Sequence, residues 1–437
     1  MINKKQWIIL TLIFALLFTA CSSGKPNPGA TTNPGGGNEE KPPQSVELTF
    51  AYMGEGATYE LYKEMFEAYE DNNPHVTIKS QVIAQDFNSA ILTRISGGNP
   101  PDLFWISNAS LPSFASRNAL LNLSPYDGNL FNSSDFNENA LEGYSYEGNI
   151  YGLPADSAPM VLFYNRDLFD EANVEYPQPQ MTWDQLLEKA KQMTKAEGNN
   201  TTQFGYAQDL SWQFWAPFVW MNGGDILSED NSQVVINSSE NIEAFNWIRD
   251  LMNLHKVAPT STAQKTNPAY QYFVNGDVAM FFGGAWLAST VLREVDFEWD
   301  VVTPPVGKET VNTMALGGFA IASNTDHPEE AVKFLSWLSG EEGQRTKFET
   351  GFAGLPTVKS LMDTPIAILG FEHPTNKNIQ LDQIIQAASY ARVAPASMHW
   401  DELNTEITNQ LQLFWNGEQE AADTLKKIED KAKSFFK

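Results

Sequence analysis

Residues 46–82 read VELTFAYMGEGATYELYKEMFEAYEDNNPHVTIKSQV, and the spacing of apolar residues changes twice within them. Val46, Leu48 and Phe50 alternate with polar neighbours at period two, the pattern of a strand with one buried face. Leu61, Met65, Phe66 and Tyr69 then recur three and four residues apart, which predicts a helix. Residues 76–82 return to a strand. Beyond them, residues 87–95 read as a second helix, and residues 102–106, after Asn99-Pro100-Pro101, as a short buried strand. Strand, helix, strand, helix, strand in this order implies an α/β body with a mostly parallel sheet covered by helices. Residues 160–164, 278–282 and 319–322 are apolar runs short enough for core strands. Thr182 and Gln185 form a capping box ahead of Trp183, Leu186, Leu187, Ala190 and Met193. Pro328 and Gly340 bracket a helix carrying Ala331, Leu335 and Leu338. Ala422, Leu425, Ile428, Ala432 and Phe435 close the chain as an amphipathic helix.

The 437 residues carry 28 Lys and Arg against 54 Asp and Glu, a formal charge of −26. A nucleic-acid binder or a polybasic membrane-surface protein needs a large positive patch, and the composition argues against both. With 42% hydrophobic residues, 27 Phe, 14 Tyr and 12 Trp, the chain is apolar enough to fold. A body this long exceeds one core, so two or more lobes are expected. One cysteine excludes a disulfide framework and a cysteine-based zinc site. His75, His255, His327, His373 and His399 stand far apart, with no HxxxH or HExxH spacing, so neither a metal nor a cofactor is expected.

Lys4 and Lys5 precede an uncharged run from Trp7 to Ala20, long enough for a signal-peptide core and short for a membrane span. Residues 1–20 are therefore read as a signal peptide. Leu16-Leu17-Phe18-Thr19-Ala20-Cys21 resembles the bacterial lipobox, in which a small residue precedes a lipidated cysteine, although Phe18 stands where Leu is usual. Residues 22–45 hold five Pro and five Gly among Ser, Thr and Asn, a composition with nothing apolar to bury and thus a flexible tether.

No GxSxG elbow, Walker loop or GxGxxG at a strand-to-helix junction occurs, and Gly35 to Gly37 lie in the tether. The enzyme alternative is a secreted glycoside hydrolase, since two carboxylates suffice for that chemistry. No carboxylate pair is singled out by its context, and no catalytic residue is assigned.

Several separated stretches resemble the family 1 extracellular solute-binding proteins of ABC importers. They are Gly152-Leu153-Pro154, the run from Met160 to Phe169 with Tyr164-Asn165-Arg166-Asp167, and Met181-Thr182-Trp183-Asp184. Pro100-Pro101-Asp102-Leu103, Gly283-Gly284-Ala285-Trp286, Gly317-Gly318-Phe319-Ala320 and His327-Pro328-Glu329-Glu330-Ala331 follow the same family order. The resemblance implies a two-lobed periplasmic-binding-protein-like fold of type II with the ligand cleft between the lobes. The chain would cross between lobes near residues 155, 312 and 360, giving one lobe from 46–154 plus 313–360 and another from 155–312 plus 361–437. It also implies a monomeric lipoprotein on the outer face of a bacterial cell membrane, held by lipid on Cys21, passing a carbohydrate to membrane permease subunits. A non-sugar solute is the alternative cargo.

In α/β sheets ligands sit beyond the carboxyl ends of strands, which points to Glu55 after the first strand, Asp86 after the second, and Trp105 with Asn108 at the third. By local match to the maltose-binding members of the family, Glu55, Trp105, Asn108, Gln213, Trp286 and Trp400 occupy ligand-contacting positions. The acidic contact those members carry falls on Ala158, with Asp156 as a nearby substitute. Residues 211–220 bring Trp212, Trp215 and Trp220 into ten positions, more indole than one helix face needs for packing. Gly318 lies in the Gly-Gly-Phe motif, and Arg392 is placed to bind a hydroxyl or a carboxylate. A pyranose has apolar C–H faces and a hydroxyl rim, so a flat indole with nearby amides and carboxylates matches it. Only seven arginines occur in the chain, which argues against a strongly anionic ligand.

Overall fold

The computed structural model describes residues 45–54, 57–83, 86–198, 200–349, 354–362, 379–380, 382–395 and 397–436. The signal segment, Cys21, the tether to residue 44 and Glu55 lie outside them.

Among the described residues, twelve strands form: β1 Val46–Tyr52, β2 Val76–Val82, β3 Leu103–Ser107, β4 Ser145–Tyr146, β5 Asn149–Ile150, β6 Gly152–Asn165, β7 Lys195–Glu197, β8 Asn200–Gln208, β9 Val278–Gly284, β10 Trp299–Val302, β11 Asn312–Ile321 and β12 Ala391–Val393. The main sheet runs β2-β1-β3-β11-β6-β9-β8-β7, with β10 on β6 and β12 on β11. The βαβαβ reading of residues 46–106 holds, since β1 pairs in parallel with both β2 and β3. The sheet as a whole is mixed. β11 is antiparallel to β3 and β6, and β6 is antiparallel to β9 and β10.

β6 and β11 organise the molecule. The first half of β6, Gly152 to Pro159, pairs with β11, and its second half, Met160 to Asn165, passes between β9 and β10. The apolar cores divide along this strand. Leu153 and Ala155 belong with Leu48, Phe50, Phe319 and Phe334, whereas Ala158 and Val161 belong with Phe273, Phe281 and Trp299. Two bodies of core therefore meet at β6. A third segment joins them, because Ser157 and Leu355 exchange backbone hydrogen bonds of 2.9 and 2.7 Å.

The junction of β6 and β11 is densely bonded. Gly317 and Gly318 flank an irregularity in the β6–β11 register. A β-carbon on Gly318 would stand 2.5 Å from the Tyr144 ring and from the Leu153 carbonyl oxygen, so glycine here is a matter of space. Tyr144 is fully buried, with its hydroxyl 3.0 and 3.1 Å from the carbonyl oxygens of Ile106 and Leu316. Burial raises its phenol well above the ordinary value, and the Asp156 charge adds to the rise. Gln344, also buried, donates 2.6 and 2.7 Å bonds to the Ser339 carbonyl and the Thr357 hydroxyl.

The helices follow the sequence pattern closely. Leu61, Met65, Phe66 and Tyr69 are buried. The Thr182 capping box forms with both reciprocal hydrogen bonds. In the last helix, Ala421–Ala432, the buried face is Ala421, Leu425, Ile428 and Ala432, one residue off the expected register at its start.

Candidate functional site

Both bodies contribute aromatic side chains that sequence reasoning assigns to the cleft. In the first body, Trp105 lies in the middle of β3, opposite Phe319 of β11, and is partly buried against Phe87, with ring centres 6.4 Å apart at 73°. The expectation that Trp105 stands at a strand end is corrected, because pairing with β11 extends β3 to Ser107. Asn108, just past the strand, is buried. Asp86 is exposed, in a left-handed conformation (φ 49°) at the start of the helix Phe87–Ser96, and makes no capping hydrogen bond.

In the second body, the helix Trp212–Met221 starts with Trp212, whose ring meets Trp400 edge-on at 5.1 Å and 83°. Gln213 is half-buried beside Ser211. Trp215 is 1% exposed and packs on Phe245, which is a core position. Trp400 is likewise 1% exposed. Trp286 sits in the short turn Ala285–Leu287 just beyond β9, half-buried, with its ring edge-on to Phe214 at 6.3 Å and 72°. Of the indoles expected at the cleft, Trp105 and Trp286 keep exposed surface, whereas Trp215 and Trp400 are enclosed.

Two polar residues proposed from sequence are already engaged by protein. The Asp156 carboxylate is buried and paired with the ammonium of Lys347, itself buried, from the helix Glu341–Glu349. Arg392 pairs with Asp225 at 2.9 Å, and its guanidinium lies 4.5 Å from the centre of the Trp220 ring. That indole donates to Asp225 at 2.9 Å. Gly318 serves the close approach of Tyr144 described above.

A bridge between the bodies escapes sequence reasoning. Ser110 donates to the Asp401 carboxylate at 2.9 Å, Asn88 to Ser110 at 2.8 Å and to Asp401 at 3.4 Å. Arg117 forms an ion pair with Glu402. Burial holds the Asp401 carboxyl above its ordinary value, and the hydrogen bonds from Ser110 and Asn88 oppose the rise. Ala109, between Asn108 and Ser110, belongs to the same apolar cluster as Trp212, Phe214 and Trp400. The signal available in sequence is adjacency alone: Asn88 follows Phe87, and Asp401 follows Trp400. Among the described residues, no group of three or more His, Cys, Asp or Glu is arranged to hold a metal ion.

Two apolar-cored lobes on a shared sheet, bridged by hydrogen bonds from Ser110 and Asn88 to Asp401, have the architecture of two-lobed solute-binding folds. A Listeria monocytogenes ABC substrate-binding protein solved in complex with cycloalternan superposes with a TM-score of 0.80 at 25% identity, over 89% of this chain and 98% of that one. Maltose-bound MalE3 from T. maritima gives 0.78 at 21% identity, over 90% and 100%. The chain belongs to the bacterial extracellular solute-binding protein family, whose profile matches residues 54–345. An arabinooligosaccharide-binding protein of Halalkalibacterium halodurans is 25% identical over 335 residues, 74% of each chain.

Proposed function

We propose that this protein captures a carbohydrate, an oligosaccharide, between its lobes and delivers it to the permease of an ABC importer. The observation that carries the reading is the pair of half-buried indoles, Trp105 on the first body against Phe87 and Trp286 on the second against Phe214, with Asn108 and Gln213 on the neighbouring stretches of chain. Flat aromatic surface with uncharged hydrogen-bonding groups suits a sugar, and Arg392 and Asp156, the charged contacts expected from sequence, are engaged by Asp225 and Lys347. Relatives named for arabinooligosaccharide binding or solved with cycloalternan support the same cargo class. Lobes of 46–154 plus 313–360 and 155–312 plus 361–437 accord with the change of core between Ala155 and Ala158. The protein acts as a monomer and returns its ligand unaltered.

A thermal-shift series tests the cargo class, because a ligand bound only by the folded form raises the melting temperature. Arabino-, malto- and cyclic oligosaccharides, amino acids, peptides and inorganic anions are compared. A rise with saccharides alone is expected, and a rise confined to amino acids, peptides or anions contradicts the proposal.

The anchor is a separate proposal. Cleavage before Cys21 and lipidation of its thiol would hold the protein on the outer face of the membrane at the end of the 22–45 tether, supported by the Lys-apolar-Cys order at the N-terminus. Cys21→Ala is expected to appear in the culture medium, whereas equal retention of mutant and wild type in the membrane fraction would refute the anchor.

A further inference from the structure

The tandem glycines at the end of β9 have different occupants. At Gly283 the space of a β-carbon is taken by the Phe281 ring, whose Cε1 would lie 2.4 Å from it. At Gly284 the intruder is Trp286, with Cζ3, Cη2 and Cε3 at 2.0, 2.1 and 2.2 Å from the same point. Those three atoms are consecutive in the six-membered ring. Their near-equal distances put the point over the face of the indole, not beyond its edge. Gly284 itself has φ −73° and ψ 142°, extended values open to any L-residue. Glycine is required here by the ring above it, and the backbone imposes no such need.

The remaining contacts complete the seat. Phe214 meets the indole edge-on. The Ser289 hydroxyl donates to the Trp286 carbonyl at 2.9 Å, fixing the turn that carries it. One face of the six-membered ring is therefore closed by the main chain at Gly284, and a ligand can reach only the other.

We infer that Gly284 is a positioning residue for saccharide recognition: its missing side chain lets the Trp286 indole lie flat on the end of β9, so that one aromatic face is presented at a fixed tilt to the apolar face of a sugar ring. This rests on the carbohydrate reading above. A methyl group at 284 lifts or turns the ring while leaving the backbone unstrained. A tilted indole still excludes water but no longer parallels a pyranose, so the loss falls on ligands with C–H groups gathered on one ring face.

The test is a cycle of Gly284→Ala, Trp286→Ala and the double variant in the mature protein. Each is titrated calorimetrically with maltotriose, arabinotriose and cycloalternan, and melted without ligand. Gly284→Ala is expected to weaken binding nearly as much as Trp286→Ala, about thirtyfold for a stacked aromatic at a hot spot, and the double variant to bind no worse than Trp286→Ala alone. Ligand-induced change in near-ultraviolet circular dichroism should shrink in Gly284→Ala. Wild-type affinity in Gly284→Ala beside weak binding in Trp286→Ala overturns the positioning role and leaves the carbohydrate reading standing. Wild-type affinity in Trp286→Ala overturns the platform and with it the positioning role while the carbohydrate reading stands, and no saccharide binding by the wild type removes both. If Gly284→Ala folds too poorly to titrate, Gly284→Ala with Trp286→Phe decides, because a smaller ring clears the methyl. It should bind more tightly than Gly284→Ala with Trp286→Ala, and equal affinity overturns the inference.

Discussion

Replacing Lys347 with alanine should cost about 3–5 kcal/mol of stability, the range for leaving one partner of a buried ion pair uncompensated. Asp156 would be left without its partner between β6, Gly317 and the phenols of Tyr62 and Tyr144. The carboxylate fills the space a side chain at Gly317 would take, since a β-carbon there would stand 2.9 Å from both Asp156 oxygens. For a body of this size the loss corresponds to a fall of about 5 °C in melting temperature. Asp156→Leu combined with Lys347→Met should recover most of it, because well-packed apolar replacements avoid the desolvation of both charges. Differential scanning calorimetry of the single and double variants checks this. A single variant melting with the wild type would show the pair to be dispensable and Asp156 free for another task.

Trp286→Ala should weaken saccharide binding by about 2 kcal/mol, roughly thirtyfold, with a modest fall in melting temperature. Trp215→Ala should do the reverse: the ring is 1% exposed against Phe245, and truncating such a side chain costs about 3–5 kcal/mol of stability. Calorimetric titration and melting of both variants separate a platform from a core indole. Full affinity in Trp286→Ala with a large drop in melting temperature would place that ring in the core.

The division between what sequence reveals and what it hides follows the range of the forces involved. β1, β2 and the helix Ala57–Asn72 are legible because each buries one face against near neighbours, and local periodicity records that burial. β6 is legible only from Met160 onward. Pro154, Asp156 and Pro159 break any alternation over Gly152 to Pro159, and that half is a strand because β11, about 160 residues away in sequence, supplies its hydrogen bonds. The same holds for β11, of which only the end, Phe319 to Ile321, is read as a strand from sequence.

At the site, residue type is readable and exposure is not. Trp212, Trp286 and Trp400 are equally plausible platforms by composition. The burial of Trp400 comes from Trp212, nearly two hundred positions earlier, meeting it across the second lobe. The resemblance covers Gly283-Gly284-Ala285-Trp286, yet the physical reason for the glycines is the pair of rings folded over them. Asp156 and Arg392 look available in sequence because nothing local announces Lys347 or Asp225.

Small-angle scattering of the mature protein, with and without a saccharide at saturation, tests capture between lobes most directly. A ligand gripped from both sides stabilises the closed arrangement over the open one, so the radius of gyration is predicted to fall on binding. An unchanged radius at saturating saccharide would contradict capture by closure and place the ligand on a single lobe or in a preformed site.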